Sequence, residues 1–557
     1  MLAAMPPPPT TPPDQGESRI RARGDACPGA LRLHPAADGG LARLRLPAGL
    51  LTGRQLRALS VAAERLGDGS LSITSRGNVE LRGLADGCGP ALAELLREAG
   101  LLPSDTHERV RNIVASPLAG LDGYGGPDGY GGRDGYDGRD GYDGRDGRRE
   151  GGGRGGQGGY GERDGYGGQG GADVRSWARE LDALLCGSER AAGLSGRFLF
   201  ALDDGRCDVA GLGADVTLLA ARGRSGDGPG DEPGHGPGDE RGDEPGHGPG
   251  DERGDEPGHG RGDERVELRI GRHAFRVRAA DAARAALAAA EAFLAAADEA
   301  GTGAWRVREL PEGQDIAVGA ELERAGVAAT PRHPAPCADA PAPGTGPSTP
   351  GTDPSAPEPG SGPAPPGPAG PGAGPLPGIV EGPDGWAVSV LAPLGRLTVA
   401  QSRELLPAPA DEVRLTPWRG AVVPGFADRG AARARLDALR RAGFVTGTGS
   451  PWYGVGACTG RPGCARSLAD VRADVRADIG EYLRAGARAG TAPGPGGLPV
   501  YWSGCERRCG RPQHDHVDVV ATGDGAYRVT ARGTAVPVPS RAELGDTIAT
   551  ARTSATK

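Results

Sequence analysis

With 557 residues, 101 of them Gly and 51 Pro, and only 4% aromatic side chains, the chain has room for several domains but is too Gly- and Pro-rich to be globular throughout. A net charge of −9 argues against a dedicated nucleic-acid binder, and no apolar run of about 18 residues exists to span a membrane. Almost every basic residue is arginine, and the only lysine is Lys557.

Residues 1–19 read as a Pro-rich disordered leader without the apolar core of a secretory signal. Nine cysteines behind such a start suit a reducing cytoplasm, where close thiol pairs bind metal or do redox work. Residues 20–100 form a first half-domain. Within it, Thr52 followed three residues later by Gln55 is a capping box that starts a helix. Leu56, Leu59, Ala63 and Leu66 share one face of that helix, which ends at Gly67. The stretch LSITSRGNVELRGL follows, with Thr74, Arg76 and Arg82.

Residues 101–330 form a second unit. It carries ERVRNIVASP with Arg111, strands RFLFALDD, VELRI and AFRVRA, and an Ala-rich helix at about 280–299. Two low-complexity insertions interrupt it, Gly-Tyr-Asp-Arg repeats at 121–171 and GDEPGHGPGDER repeats at 223–264. His235, His247 and His259 recur in the second repeat and read as part of a polar surface insertion. A Pro/Ala/Gly linker is expected at 331–378.

Residues 379–447 repeat the first half-domain. Pro393–Gln401 matches Pro47–Gln55 at a constant offset of 346, capping box included, and VRLTPWRGAVVPG places Thr416 and Arg419 beside the earlier Thr74 and Arg76. Two α+β half-domains related by a pseudo-two-fold axis are expected. Residues 448–550 hold a helix after Cys464, a hairpin closed by Gly523-Asp524-Gly525, and four cysteines in Gly-rich turns. Cys458 and Cys464 are separated by five residues, Cys505 and Cys509 by three. Two thiol pairs on two loops can converge on one metal centre. Structural zinc prefers tighter C-x2–4-C loops, so a 4Fe–4S cluster is favoured over zinc. Cys27, Cys88, Cys186, Cys207 and Cys337 have no such spacing and read as small buried hydrophobes.

These blocks, in this order, resemble the nitrite/sulfite reductase superfamily. The spacing C-x5-C then C-x3-C is its cluster signature, and TSR and VRN are its arginine motifs. The resemblance implies an α+β fold with two ferredoxin-like half-domains and two α/β domains that bind cluster and tetrapyrrole. It implies a 4Fe–4S cluster on Cys458, Cys464, Cys505 and Cys509, with Cys509 at the position that bridges to siroheme in siroheme-bearing members. It gives Arg76 and Arg111 the carboxylates of an acidic tetrapyrrole or an anionic substrate, a task suited to guanidinium forks. Arg82 and Arg419 divide evenly between that role and surface ion pairs.

The reductases of this superfamily carry two lysines in a segment like LPRKFK. Here the segment reads Leu194-Ser195-Gly196-Arg197-Phe198-Leu199, so Arg197 and Leu199 stand at the lysine positions. Arginine is a poor acid at neutral pH, which counts against anion reduction. The RFLFALDDG segment resembles instead the precorrin-3B synthase branch. That branch implies an oxidoreductase of the monooxygenase type acting on precorrin-3A with dioxygen in cobalamin biosynthesis. It also implies a second, non-haem iron, and an external donor such as an NAD(P)H-linked reductase or ferredoxin. Siroheme is the less favoured cofactor. His514, His516 and Asp518 fall on one face of a strand and are candidates for the second iron. The alternatives are a ferredoxin-dependent sulfite or nitrite reductase and a non-catalytic iron–sulfur electron-transfer protein.

Overall fold

The computed structural model describes residues 25, 27–122, 174–221, 265–334, 374–406, 411–488, 497–512, 515–536, 538 and 541–553. Residues 123–171 of the first insertion, the whole second insertion with its three repeat histidines, the leader, Cys337 and His514 lie outside these residues. Among the described residues no helix is long and apolar enough to cross a membrane.

Two five-stranded antiparallel sheets form the half-domains, and they exchange a strand. The first is ordered His34–Ala36, Gly39–Leu44, Val79–Leu84, Ser70–Ile73 and then Arg396–Thr398, which comes from the second repeat. The second is ordered Gly378–Gly382, Gly385–Leu391, Gly420–Phe426, Glu412–Leu415 and then Leu50–Thr52, from the first repeat. The exchanged strands are the segments that the 346-residue offset superposes. Each leads through a complete capping box, Thr52 with Gln55 and Thr398 with Gln401, into its helix, Gly53–Leu66 or Val399–Glu404. The two helices pack together, with Ser60 Oγ 2.8 Å from Ser402 Oγ. Leu51, Leu56, Leu71 and Leu81 therefore share one core with Val388, Leu397, Val413 and Leu415. Exchange makes the halves mutually dependent, because neither sheet is complete alone.

The two remaining sheets share a topology. In one, Ile113–Ala115, Phe200–Asp203 and Val216–Ala220 run parallel, followed by antiparallel Arg265–Ile270, His273–Arg278 and Ala329–Arg332. In the other, Val455–Ala457, Val500–Ser503 and Val517–Gly523 run parallel, followed by antiparallel Ala526–Ala531 and Thr534–Val536. Helices Val174–Gly187 and Ala282–Ala300 cover the first sheet, and the alanines of the second helix let it approach closely. The duplication thus extends past the half-domains.

Several expectations need adjustment. The linker expected at 331–378 is strand at both ends. Pro331 and Arg332 pair with Phe275 and Ala274 on a sheet edge, where a missing N–H is tolerated, and Gly378 pairs with Ser389. The helix after Cys464 begins at Val471, six residues beyond the start of its apolar pattern. Of the unpaired cysteines, Cys27 and Cys207 are buried, whereas Cys88 and Cys186 are only half-buried.

Candidate functional site

The cysteine loops leave the carboxyl ends of parallel strands, where open α/β sheets place ligands. Cys458 follows Val455–Ala457, and Gly504-Cys505 follows Val500–Ser503. The Gly504 N–H donates to Cys458 Sγ at 3.2 Å. A side chain at Gly504 would strike Ser467 Oγ at 1.8 Å, so the glycine permits this approach. Burial raises the thiol pKa of Cys458, with Cys509 adding to the rise and the N–H groups of Gly504 and Gly460 opposing it. Burial likewise raises Cys509, and Cys505 and Cys464 add to that. The four sulfurs thus share one electrostatic neighbourhood. The all-thiol donor set of four cysteines is the usual ligand set of a 4Fe–4S cluster.

Arginines hold these loops by their main chain. Arg472 Nε donates to Cys458 O at 3.0 Å, Arg82 Nη2 to Gly463 O at 2.5 Å, and Arg419 Nη2 to Gly510 O at 2.9 Å. Tyr501 Oη donates to Cys509 O at 2.7 Å, and the Arg419 guanidinium lies 5.4 Å over the Tyr501 ring. Burial pushes Tyr501 up to about 12, so it remains a donor at neutral pH.

A second centre gathers arginines. Arg76 occupies the tight turn Thr74–Asn78, closed by Thr74 N–H to Asn78 O at 2.8 Å. Burial, then repulsion from Arg306 and Arg43, lowers Arg76 to about 10. Burial, then Arg43, lowers Arg45 to about 9. Arg45 is 3% exposed. It donates to Arg109 O and Gly196 O, and its Nη1 has no hydrogen-bond partner among the described residues. Arg43 is paired with Glu80 and Arg306 with Asp215, so the positive charge left to an anion is that of Arg45 and Arg76. Two buried asparagines tie the contributing segments together. Asn78 accepts from Leu46 N–H and donates to Asn112 Oδ1, and Asn112 donates to Phe198 O, each at 2.9 Å. The TSR, RLR, VRN and RFLF stretches thereby meet at one point.

The three arginines singled out from the sequence have different surroundings. Arg76 joins the cluster just described. Arg111 does not: its fork grips Asp182 at 2.6 and 2.7 Å and it is 5% exposed, an ion pair between VRN and helix Val174–Gly187. Arg197 is exposed and stacks 4.8 Å over Trp305. Leu199 is 2% exposed and packs with Val114, Ala201, Val209 and Trp418. Arg43, Arg45 and Arg306 were not singled out. RLR in the first half-domain was a legible signal, whereas Arg306 carried none. Arg306 enters through its 2.5 Å pair with Asp215, which also accepts from Leu199 N–H and Val307 N–H.

The duplicate of the Arg76 turn is also registered differently from its sequence reading. Thr416 N–H bonds Gly420 O and Arg419 N–H bonds Thr416 O, matching Thr74–Asn78 and Gly77–Thr74. Arg419 therefore stands at the place of Gly77, and both have positive φ, 61° and 69°. Trp418, not Arg419, is the counterpart of Arg76.

Of the residues considered for a second iron, His514 lies outside the described residues. Asp518 is held by Arg508 Nε at 2.6 Å, which leaves it a poor fit for an open iron site. Three buried carboxylates, Asp203, Asp204 and Asp208, sit at the carboxyl ends of the first parallel strands. Asp203 accepts four backbone N–H groups, from Gly205, Cys207, Val209 and Ala210, and Asp208 accepts from Ser116 Oγ. Burial and the Asp203 and Asp204 charges push Asp208 up to about 8.

Residues 34–99 match the nitrite/sulfite reductase ferredoxin-like half domain. The ferredoxin–nitrite reductase of Synechococcus elongatus is 45% identical over 84 residues, 15% of this chain and 16% of that protein. The precorrin-3B synthase of a Sinorhizobium species is 38% identical over 109 residues, 20% of this chain and 23% of that protein. The chain thus spans only 16% and 23% of the lengths of these two curated relatives. The solved structure of the Mycobacterium tuberculosis NirA protein superposes with a TM-score of 0.55 at 16% identity, covering 91% of this chain and 79% of that one. The fold is α+β and nitrite/sulfite reductase-like, with ferredoxin-like half-domains. Proteins with this similarity are oxidoreductases.

Proposed function

We propose that this oxidoreductase converts precorrin-3A to precorrin-3B in the cytoplasm, using dioxygen. One oxygen atom enters as a hydroxyl at C20 while the ring-A acetate closes a γ-lactone. The other leaves as water, with two protons and two electrons supplied by an external donor, an NAD(P)H-linked reductase or a ferredoxin. One observation carries the reading. At the two positions where the reductases of this superfamily hold lysines, Arg197 is stacked on Trp305 and Leu199 is buried in an apolar cluster. Neither side chain is a proton donor at neutral pH, which anion reduction needs.

Within this reading, Arg76 and Arg45 bind carboxylates of the acidic tetrapyrrole, while Arg43 and Arg306 beside them are held by Glu80 and Asp215. Asn78 and Asn112 hold the binding turns in register. Leu199, Val114, Ala201 and Val209 present an apolar wall without a proton donor. Cys458, Cys464, Cys505 and Cys509 hold a 4Fe–4S cluster, which when bound supplies electrons one at a time. Arg111 acts by fixing VRN to Asp182.

The test begins with protein purified without air, whose spectra report cluster and siroheme. Incubation with precorrin-3A, a reduced donor and labelled dioxygen then follows. One labelled oxygen in the product is expected, and a product without label sinks the proposal. The similarity to nitrite reductases favours a second reading, ferredoxin-dependent anion reduction. It requires a siroheme spectrum and consumption of nitrite or sulfite by the reduced protein.

A further inference from the structure

We propose that Arg82, Arg419 and Arg472 form a three-point clamp that presets the cysteine loops and raises the reduction potential of the cluster they hold. The inference rests on the reading of the four cysteines as cluster ligands and gives Arg82, Arg419 and Arg472 a task at the cysteine loops that the superfamily resemblance does not assign.

Each arginine comes from a different part of the chain. Arg82 belongs to the first half-domain, Arg419 to the second, and Arg472 to the helix beyond the first cysteine pair. Each donates to a carbonyl at a cysteine or next to one: Gly463 O before Cys464, Gly510 O after Cys509, and Cys458 O itself.

Arg419 shows that the contact is built. It occupies the slot that its duplicate fills with Gly77, at φ 61°, where a side chain costs about 1 kcal/mol. Three glycines make room for it. A Cβ on Gly395 would lie 2.4 Å from Arg419 Cδ, one on Gly510 3.1 Å from Nη2, and one on Gly456 3.3 Å from Nη1. Strain kept in one copy of a duplicated turn, and relieved by glycine in the other, marks a position held for its side chain.

The three do not contribute charge equally. Arg82 is paired with Asp38 through two 2.9 Å bonds, so its charge is largely balanced. Arg472 is 8% exposed, burial lowers it to about 10, and its Nη1 has no hydrogen-bond partner among the described residues. A cluster with four thiolates is anionic and becomes more so on reduction. Buried positive charge beside it favours the reduced state and raises the potential.

The test uses the full-length protein purified without air, comparing wild type with Arg419→Gly, Arg472→Gln and Arg82→Gln. Arg419→Gly relieves the backbone while removing the clamp, so its folding should be intact. The readouts are iron content, the rate of bleaching in air, and the midpoint potential followed by electron paramagnetic resonance. Arg419→Gly and Arg472→Gln are expected to lower the potential and bleach about tenfold faster, the usual scale for residues behind metal ligands. Arg82→Gln should bleach faster too. Variants with wild-type potential and bleaching rate overturn the clamp while leaving the cluster reading standing. Wild-type protein without a cluster overturns both.

Discussion

Leu199→Lys restores one of the two absent lysines and tests whether the apolar wall excludes the chemistry of anion reduction. Leu199 is 2% exposed, packed against Val114, Ala201 and Val209, with Trp418 alongside. An amine placed there meets apolar side chains, and the nearby Asp215 carboxylate, which accepts from the Leu199 N–H, is already paired with Arg306, so the amine must enter uncharged. Lysines buried in this way titrate at about 5–6 instead of about 10.4. Discharging one at pH 7 costs about 1.4 kcal/mol for each unit between pH 7 and 10.4, so about 4–5 kcal/mol. The sign follows from proton binding. Between the lowered folded value and 10.4 the unfolded chain holds the extra proton, so the variant gains stability as pH rises. Urea denaturation of both proteins from pH 6 to 10 should show a deficit of about 4 kcal/mol at pH 7 that shrinks towards pH 10. A variant within about 1 kcal/mol of wild type at pH 7, with no pH trend, would show that the wall accepts a charged amine. The argument against anion reduction would then fail.

Three further outcomes are expected. Cys509→Ser should lose the visible and paramagnetic cluster signals together with turnover, and an intact cluster signal would remove Cys509 from the ligand set. Arg76→Ala should weaken tetrapyrrole binding about tenfold or more, the loss of one charge-assisted contact, while sparing the cluster; unchanged affinity by titration would take Arg76 out of the site. Asp208 sits at about 8 instead of 3.8, so the folded state retains a proton that the unfolded chain releases, and stability is lost as pH rises between those values. Asp208→Asn keeps the acceptor for Ser116 and removes the titration. It should exceed wild type by about 3 kcal/mol at pH 8, a figure reduced because three carboxylates share the proton, with the gap closing near pH 4. Parallel curves for the two proteins would refute this.

Local chemistry was legible because its causes are local. Thr52 with Gln55 and Thr398 with Gln401 start helices by closing hydrogen bonds within four residues. The offset between those boxes revealed the duplication, and the two cysteine spacings pointed to a cluster and not to one zinc ion. The missing lysines were visible as composition alone.

The tertiary structure decided what depends on distant partners. Leu50–Thr52 and Arg396–Thr398 each join the other repeat's sheet, a pairing across about 350 residues that no local pattern encodes. VRN looks the same whether its arginine faces a ligand or a carboxylate, and helix Val174–Gly187 brings Asp182 to Arg111. Arg76 and Arg419 look equivalent in sequence, yet backbone hydrogen bonds put Arg419 in the slot of Gly77. Thus the residues alone determined that there are two repeats, four clustered thiols and many arginines. Which arginine joins a buried cluster, which holds a cysteine loop and which is neutralised was set by long-range packing, because a guanidinium takes its role from whatever charge or carbonyl the fold places within about 3 Å of it.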